Sequence, residues 1–136
     1  MINKDNKIIR LKQRVSNFER VAGLLVDALE IQSPSVIERA GIIQFYEMAF
    51  ELAWKCLKDY LEVKGMDPKY PRDTIKLAVQ HEIIDHGETW LKAMTDRNLT
   101  VHTYDEESAY LIDKAIREEY YPLLEHVRLF FNQLEF

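Results

Sequence analysis

Cysteine occurs once in the 136 residues, at Cys56, so no intrachain disulfide can form and the fold must stand on its core. Glycine and proline occur four times each. So few breakers exclude a chain of many short strands and turns, and the elements are expected to be long. No apolar run, at the N-terminus or elsewhere, approaches the length of a signal peptide or a membrane span. The expectation is a reducing, cytoplasmic protein with no membrane association. Positive charge is short as well: 18 Lys and Arg stand against 23 Asp and Glu, a formal net charge of −5. Such a balance excludes a chain-wide electrostatic hold on nucleic acid and leaves room only for a local basic site. Sustained period-two alternation and internal repeats are missing too, which argues against a sheet or a solenoid.

What remains is helix. The 47% apolar and 30% charged fractions suit a single globular domain over residues 1–136, able to bury roughly two thirds of its unfolded surface. Leu11, Val15, Phe18, Ala22, Leu25 and Leu29 alternate steps of four and three, one face of a first helix over 5–31. In "QSPSVIE" either Ser33 caps with Pro34 at the first helical position, or Ser35 and Glu38 form a capping box. Ile42, Phe45, Ala49, Leu52, Ala53, Cys56 and Tyr60 continue the spacing until "VKGMDPKYP" ends a second helix. "RDTIKLAVQHEII" predicts a short helix ending near Gly87, and "ETWLKAMTDR" another. From Thr103 the series Ala109, Ile112, Ile116, Tyr120, Leu123, Val127, Phe130 and Leu134 predicts a last long helix, kinked or split by Pro122. The fold class is therefore all-α, an up-and-down bundle of about five helices.

One stretch departs from ordinary helix, "TDRNLTVHTYDEE" at 95–107. Thr103 and Glu106 have capping-box spacing, which would place Tyr104, Asp105 and Glu106 in the first turn of the last helix and His102 just before it. Arg97 falls at the end of the preceding helix, where the dipole favours a cation. On one continuous helix Arg97 and His102 would point about 140° apart, at roughly 100° per residue. Across a break they can converge. A guanidinium, an imidazole and a phenol beside a helix N-terminus would then form a place that suits phosphate. Taken singly, Arg97 would serve equally as a helix C-cap or as partner of Asp96 or Asp105, and His102 as a loop histidine.

The pattern Arg97, four residues, His102, one residue, Tyr104 resembles the R-x4-H-x-Y signature of HEPN-domain proteins. The run "WLKAMTDRNLTVHTYDEESAYLI", together with "FYEMAFELAWKCLKDYL" in the second helix, is similar to the HepT branch, also called nucleotidyltransferase substrate-binding proteins. Val101 departs from the pattern, which has a small polar residue before the histidine. The resemblance implies a metal-independent endoribonuclease that needs no cofactor, the toxin of a toxin–antitoxin pair. Its partner would be an MntA-like minimal nucleotidyltransferase antitoxin that AMPylates Tyr104, and its active cleft would form between two protomers of a homodimer. Arg97 and His102 would act on an RNA substrate, with Asp96 and Asn98 orienting the arginine or touching the RNA. A different class stays open beside it: a non-catalytic subunit that holds a nucleotide for the nucleotidyltransferase.

The chemistry asked of those residues is coherent. Cutting RNA without a metal requires deprotonation of a 2′-OH, protonation of the leaving oxygen and fixed positive charge at the phosphorane. A histidine can exchange protons near neutrality. An arginine supplies a planar, permanent charge. "HEIIDH" places His81 and His86 five apart, off one helix face, and is discarded as a metal site. Tyr46, Phe50, Trp54, Leu57 and Leu61 add a second apolar stripe to the second helix, and a helix apolar on two sides must bury both, which is the residue-level argument for a dimer.

Overall fold

The structure is a computed structural model that describes residues 4–98 and 105–134. Its elements are α1 Lys4–Leu29, α2 Val36–Val63, α3 Pro71–Gln80, α4 Gly87–Asn98, α5 Glu106–Ala115 and α6 Tyr121–Asn132, with a π-helical turn, Ile116–Tyr120, joining α5 to α6. Among the described residues there is no strand, and the all-α bundle expected from the spacing is the architecture observed.

α1 and α2 form an antiparallel pair, as their ion pairs show: Arg14 Nε lies 3.0 Å from Asp59 Oδ2, and Arg10 Nη1 lies 3.9 Å from Glu62 Oε2. Of the two caps open at the start of α2, Ser35 is the one used. Its hydroxyl accepts from the backbone N–H of Glu38, and the Glu38 carboxylate accepts from the N–H of Ser35. Two otherwise unmet donors are satisfied reciprocally, a contribution of about 1 kcal/mol. α2 ends at Lys64, after which Gly65 takes φ +92°. The Gly65 and Met66 N–H groups donate back to the carbonyls of Glu62 and Leu61 at 3.0 and 2.9 Å. A left-handed residue closes this helix end, and glycine adopts that conformation without steric cost.

The core runs through every helix, with Phe18 and Leu25 of α1, Ile42 and Leu57 of α2, Ile75 of α3, Trp90 of α4, Ile116 of the π-turn and Val127 of α6 all at or below 1% exposure. Trp54 and Trp90 are both core aromatics. The second stripe of α2 is a correction: Tyr46, Phe50, Trp54, Leu57 and Leu61 are all buried within the chain itself. α2 lies centrally, against α1 on one side and α3, α4, α5 and α6 on others, so both of its apolar faces are consumed without a second copy. No helix of the described residues is long and apolar enough to cross a membrane.

One boundary differs from expectation. The third helix does not run on through "HEII" but stops at Gln80. Glu82 takes φ +58°, its N–H donates to the carbonyl of Val79 at 3.0 Å, and the N–H of Ile83 donates to that of Ala78 at 2.9 Å. This is the same closure as at Gly65, made by a glutamate, and it turns both Ile83 and Ile84 into the core. A left-handed L-residue costs roughly 1–2 kcal/mol. Glu82→Gly is therefore expected to raise stability by about 0.5–1 kcal/mol, the remainder going to the greater freedom of an unfolded glycine. Urea unfolding of the two proteins measures it.

The last helix is divided at Pro122, as expected, into α5 and α6. The break takes the form of a π-turn: the chain widens by one residue just before the proline, and the N–H of Tyr121 donates to the carbonyl of Ile116, five residues back. A proline in an α-helix clashes with the carbonyl four residues earlier and has no N–H to give it. The wider turn relieves that crowding, and α6 begins with Pro122 in its first turn.

Candidate functional site

Arg97 is in the last turn of α4, as expected. Its Nη1 donates to Glu51 Oε2 at 2.6 Å, and its guanidinium lies 5.4 Å from the centroid of the Phe50 ring. Both partners come from the middle of α2. The side chain is left only 18% exposed, so the cation is held between a carboxylate and an aromatic face. Planar geometry makes this possible, because arginine can stack and donate at once. At the sequence level Asp96 and Asp105 were the candidate partners; the carboxylate that meets the guanidinium is that of Glu51.

Asp96 faces a different partner, accepting a short hydrogen bond from the hydroxyl of Tyr120 in the π-turn. The Tyr120 ring stacks on that of Tyr46, centroids 5.6 Å apart and planes 24° apart. Tyr46 in turn donates its O–H to the carbonyl of Ala93 at 2.6 Å. Burial pushes both phenols well above their ordinary range, Tyr120 further by its bond to Asp96 and Tyr46 further by the neighbouring Tyr120 and Asp96. They are fixed neutral donors, not acids or bases. Lys92 adds an exposed contact to Glu119 at 3.1 Å. The last two turns of α4 are thus tied to α2 through Ala93 and Arg97 and to the π-turn through Lys92 and Asp96.

Glu47, one turn before Glu51 on α2, completes this neighbourhood. Partial burial raises its pKa, and the Arg97 charge pulls it back down. Two carboxylates therefore flank the arginine from one helix. Each of Glu47, Phe50, Glu51, Tyr46 and Tyr120 was missed as a site residue in the sequence, where the aromatics read as core positions. The one available signal was the pair of glutamates four apart in the middle of the second helix.

α5 opens with Asp105 as its N-cap, where the spacing had placed that residue in the first turn. Its carboxylate accepts from the Ser108 hydroxyl at 2.9 Å instead of from a backbone N–H. Val101, His102, Thr103 and Tyr104 lie outside the described residues, as does the side chain of Asn98. The convergence of His102 and Tyr104 on Arg97 is accordingly an expectation of the motif. Among the described residues no group of three His, Cys, Asp or Glu could hold a metal ion. In "HEIIDH", Asp85 Oδ1 lies 3.4 Å from His126 Nδ1 of α6 and 3.7 Å from its neighbour His86.

Comparison with known proteins bears on the same region. The profile of a family described as nucleotidyltransferase substrate binding protein like matches residues 13–133. A protein of Haemophilus influenzae named probable ribonuclease HepT is 31% identical over 87 residues. That match takes in 58% of this chain and 60% of the relative, so the chain spans less than two thirds of its length. A crystal structure of a protein from Thermus thermophilus superposes with a TM-score of 0.76 at 34% identity, covering 81% of this chain and 94% of the other.

Proposed function

Since the chain belongs to the nucleotidyltransferase substrate binding protein like family, with the HepT-like HEPN character its motif pointed to, we propose that it is a metal-independent endoribonuclease, the toxin of a toxin–antitoxin pair. The observation that carries this reading is the seating of Arg97 at the end of α4, clamped between Glu51 and Phe50, one residue from the tethered Asp96. A cation immobilised in this way stabilises charge that develops on a phosphoryl group without reorganising when the charge appears. His102, five residues on, supplies proton transfer near neutral pH. Two protomers of a homodimer bring two such pairs together, one histidine taking the 2′-OH proton and the other returning a proton to the leaving 5′ oxygen. Asp96 acts through position, locking the turn that carries Arg97, and Asn98 orients the arginine or binds the RNA.

The regulatory part of the proposal is chemical as well. The partner is a minimal nucleotidyltransferase of the MntA kind, and it transfers AMP to the phenol of Tyr104. A phosphodiester-linked nucleotide beside the site adds negative charge and bulk where the substrate phosphate would sit. The family description favours one other reading, a non-catalytic subunit that binds a substrate for that nucleotidyltransferase.

Turnover separates the two. Purified, partner-free protein, shown by mass spectrometry to be unmodified at Tyr104, is incubated with a defined RNA in EDTA. The expected result is many cuts per protein molecule and products ending in a cyclic or 3′ phosphate. Stoichiometric retention of RNA or nucleotide with no product would overturn the ribonuclease reading in favour of the binding subunit.

A further inference from the structure

A second polar cleft lies away from Arg97, where the α1–α2 connection meets α5 and the π-turn. It is lined by Gln32, Arg39, Tyr110, Asp113, Lys114 and Arg117, among others, and has a volume of about 160 Å³. At its base the buried Asp113 accepts from Arg39 Nε at 3.0 Å and from Arg117 Nε at 2.7 Å. Arg117 uses all three of its nitrogens, since its two Nη groups donate to the carbonyls of Leu29 and Ile31 at 2.7 and 2.8 Å. These satisfy the end of α1, a structural duty.

Arg39 is different. Its Nε is used, while no further hydrogen bond of its guanidinium is made among the described residues, and the group lies 5.6 Å from the centroid of the Tyr110 ring. Tyr110 is nonetheless 53% exposed. Lys114, one turn further along α5, is exposed at the same rim. The cleft therefore offers Lys114, the remaining N–H groups of Arg39 and an aromatic ring, and its three cations, Arg39, Lys114 and Arg117, exceed its two carboxylates, Asp113 and Glu118, by one charge.

We propose that this cleft binds one nucleotide unit of single-stranded RNA, the base stacked on Tyr110 and the phosphate held by Arg39 and Lys114. Stacking on an exposed aromatic with a guanidinium alongside is how single strands are held without regard to sequence. The cleft is too small to enclose a free ligand, for which pockets of roughly 300 Å³ or more are usual. It suits one unit of a chain that continues across the surface. Arg39 and Glu51 are separated by twelve positions on α2, about 18 Å along the helix, which a few nucleotides span. The inference rests on the proposed function only in taking RNA as the ligand, and it concerns binding, not cleavage.

The test is fluorescence anisotropy with a labelled single-stranded oligoribonucleotide, in the His102→Ala background so that cleavage is slow beside the measurement. Tyr110→Ala is expected to weaken binding by about 5- to 150-fold, the range of one lost base stack. Tyr110→Phe, which keeps the ring, should restore it. Lys114→Gln should reduce the slope of log affinity against log salt by about 0.7, the loss of one phosphate contact on a single strand. AMP is titrated in parallel. Much tighter binding of the oligomer supports a polynucleotide as the occupant, and equal binding with the same sensitivity to Tyr110→Ala overturns it in favour of a free nucleotide. Affinities within twofold of the parent in both Tyr110→Ala and Lys114→Gln would also overturn the proposal. So would variants that keep RNA but no longer bind the nucleotidyltransferase, since the surface would then be a protein interface. A protein that binds RNA through Tyr110 and never cuts it would leave this inference standing while the ribonuclease reading fell.

Discussion

Replacing His102 by alanine is expected to slow RNA cleavage by about 10²–10⁴-fold, and replacing Arg97 by lysine by about 10²–10³-fold, with the fold unchanged by circular dichroism. The lysine variant is the more informative of the two. It keeps the charge and loses the fork. Arg97 is anchored on Glu51 and lies beside the Phe50 ring, and the rigid fork of a guanidinium presents its N–H groups to a phosphate in a fixed plane. An ammonium at the end of a flexible stem would swing to Glu51 and meet the phosphate only as a diffuse charge. Single-turnover cleavage in EDTA at saturating protein measures the chemical step directly. A rate for Arg97→Lys within threefold of the parent would mean that charge alone matters and that the clamp on α2 is incidental.

Asp113→Ala should be the most destabilising single change outside the apolar core, by about 3–5 kcal/mol. The carboxylate is buried and holds Arg39 on one oxygen and Arg117 on the other. Removing it strands two guanidiniums in a partly buried place, and Arg117 is also what meets the carbonyl of Leu29 at the end of α1 and that of Ile31 just beyond it. Truncating one partner of a buried charge network costs more than the network contributes net, because the desolvated charges stay behind. For a chain of this size the loss corresponds to roughly 10–20 °C in Tm. Urea unfolding gives the free energy, with Asp67→Ala as the control. Asp67 pairs with Lys69 at 3.0 Å entirely on the surface, and its removal is expected to leave the transition where it was. Equal effects in the two variants would show that burial does not decide the strength of these pairs.

Much of the architecture was legible because it is written in local patterns. The step of four and three in α1, the Ser35 and Glu38 cap, and Gly65 as a stop each act within a few residues. The misreadings share a cause. Ile83 and Ile84 fit the helical spacing of α3, and nothing in "HEII" announces that a glutamate will go left-handed; burial of both isoleucines imposes it from outside the segment. The second stripe of α2 suggested a dimer because periodicity reports that a face is buried and not what buries it. α3, α4, α5 and α6 do so here.

The site divides along the same line. Arg97, His102 and Tyr104 stood out through their spacing in the chain, which is local information. Glu51 is 46 positions from Arg97, and Tyr120 is 24 from Asp96. Contacts at such separations leave no pattern in a single sequence, so the groups that immobilise the arginine became visible only in three dimensions.

The π-turn before Pro122 has a consequence for the spelling of this protein. In an ordinary helix each letter can be exchanged while the others keep their places. Residues 116–120 instead encode a count, one more than an α-helical turn would use. Both the placing of Tyr120 on Asp96 and the room around Pro122 depend on that surplus. Dropping any one residue between Ala115 and Pro122 would turn what precedes it by about 100° relative to α6, whichever letter was lost. In this segment the grammar lies in length, and the tether from Tyr120 to Asp96, next in the chain to Arg97, is one of the clauses it governs.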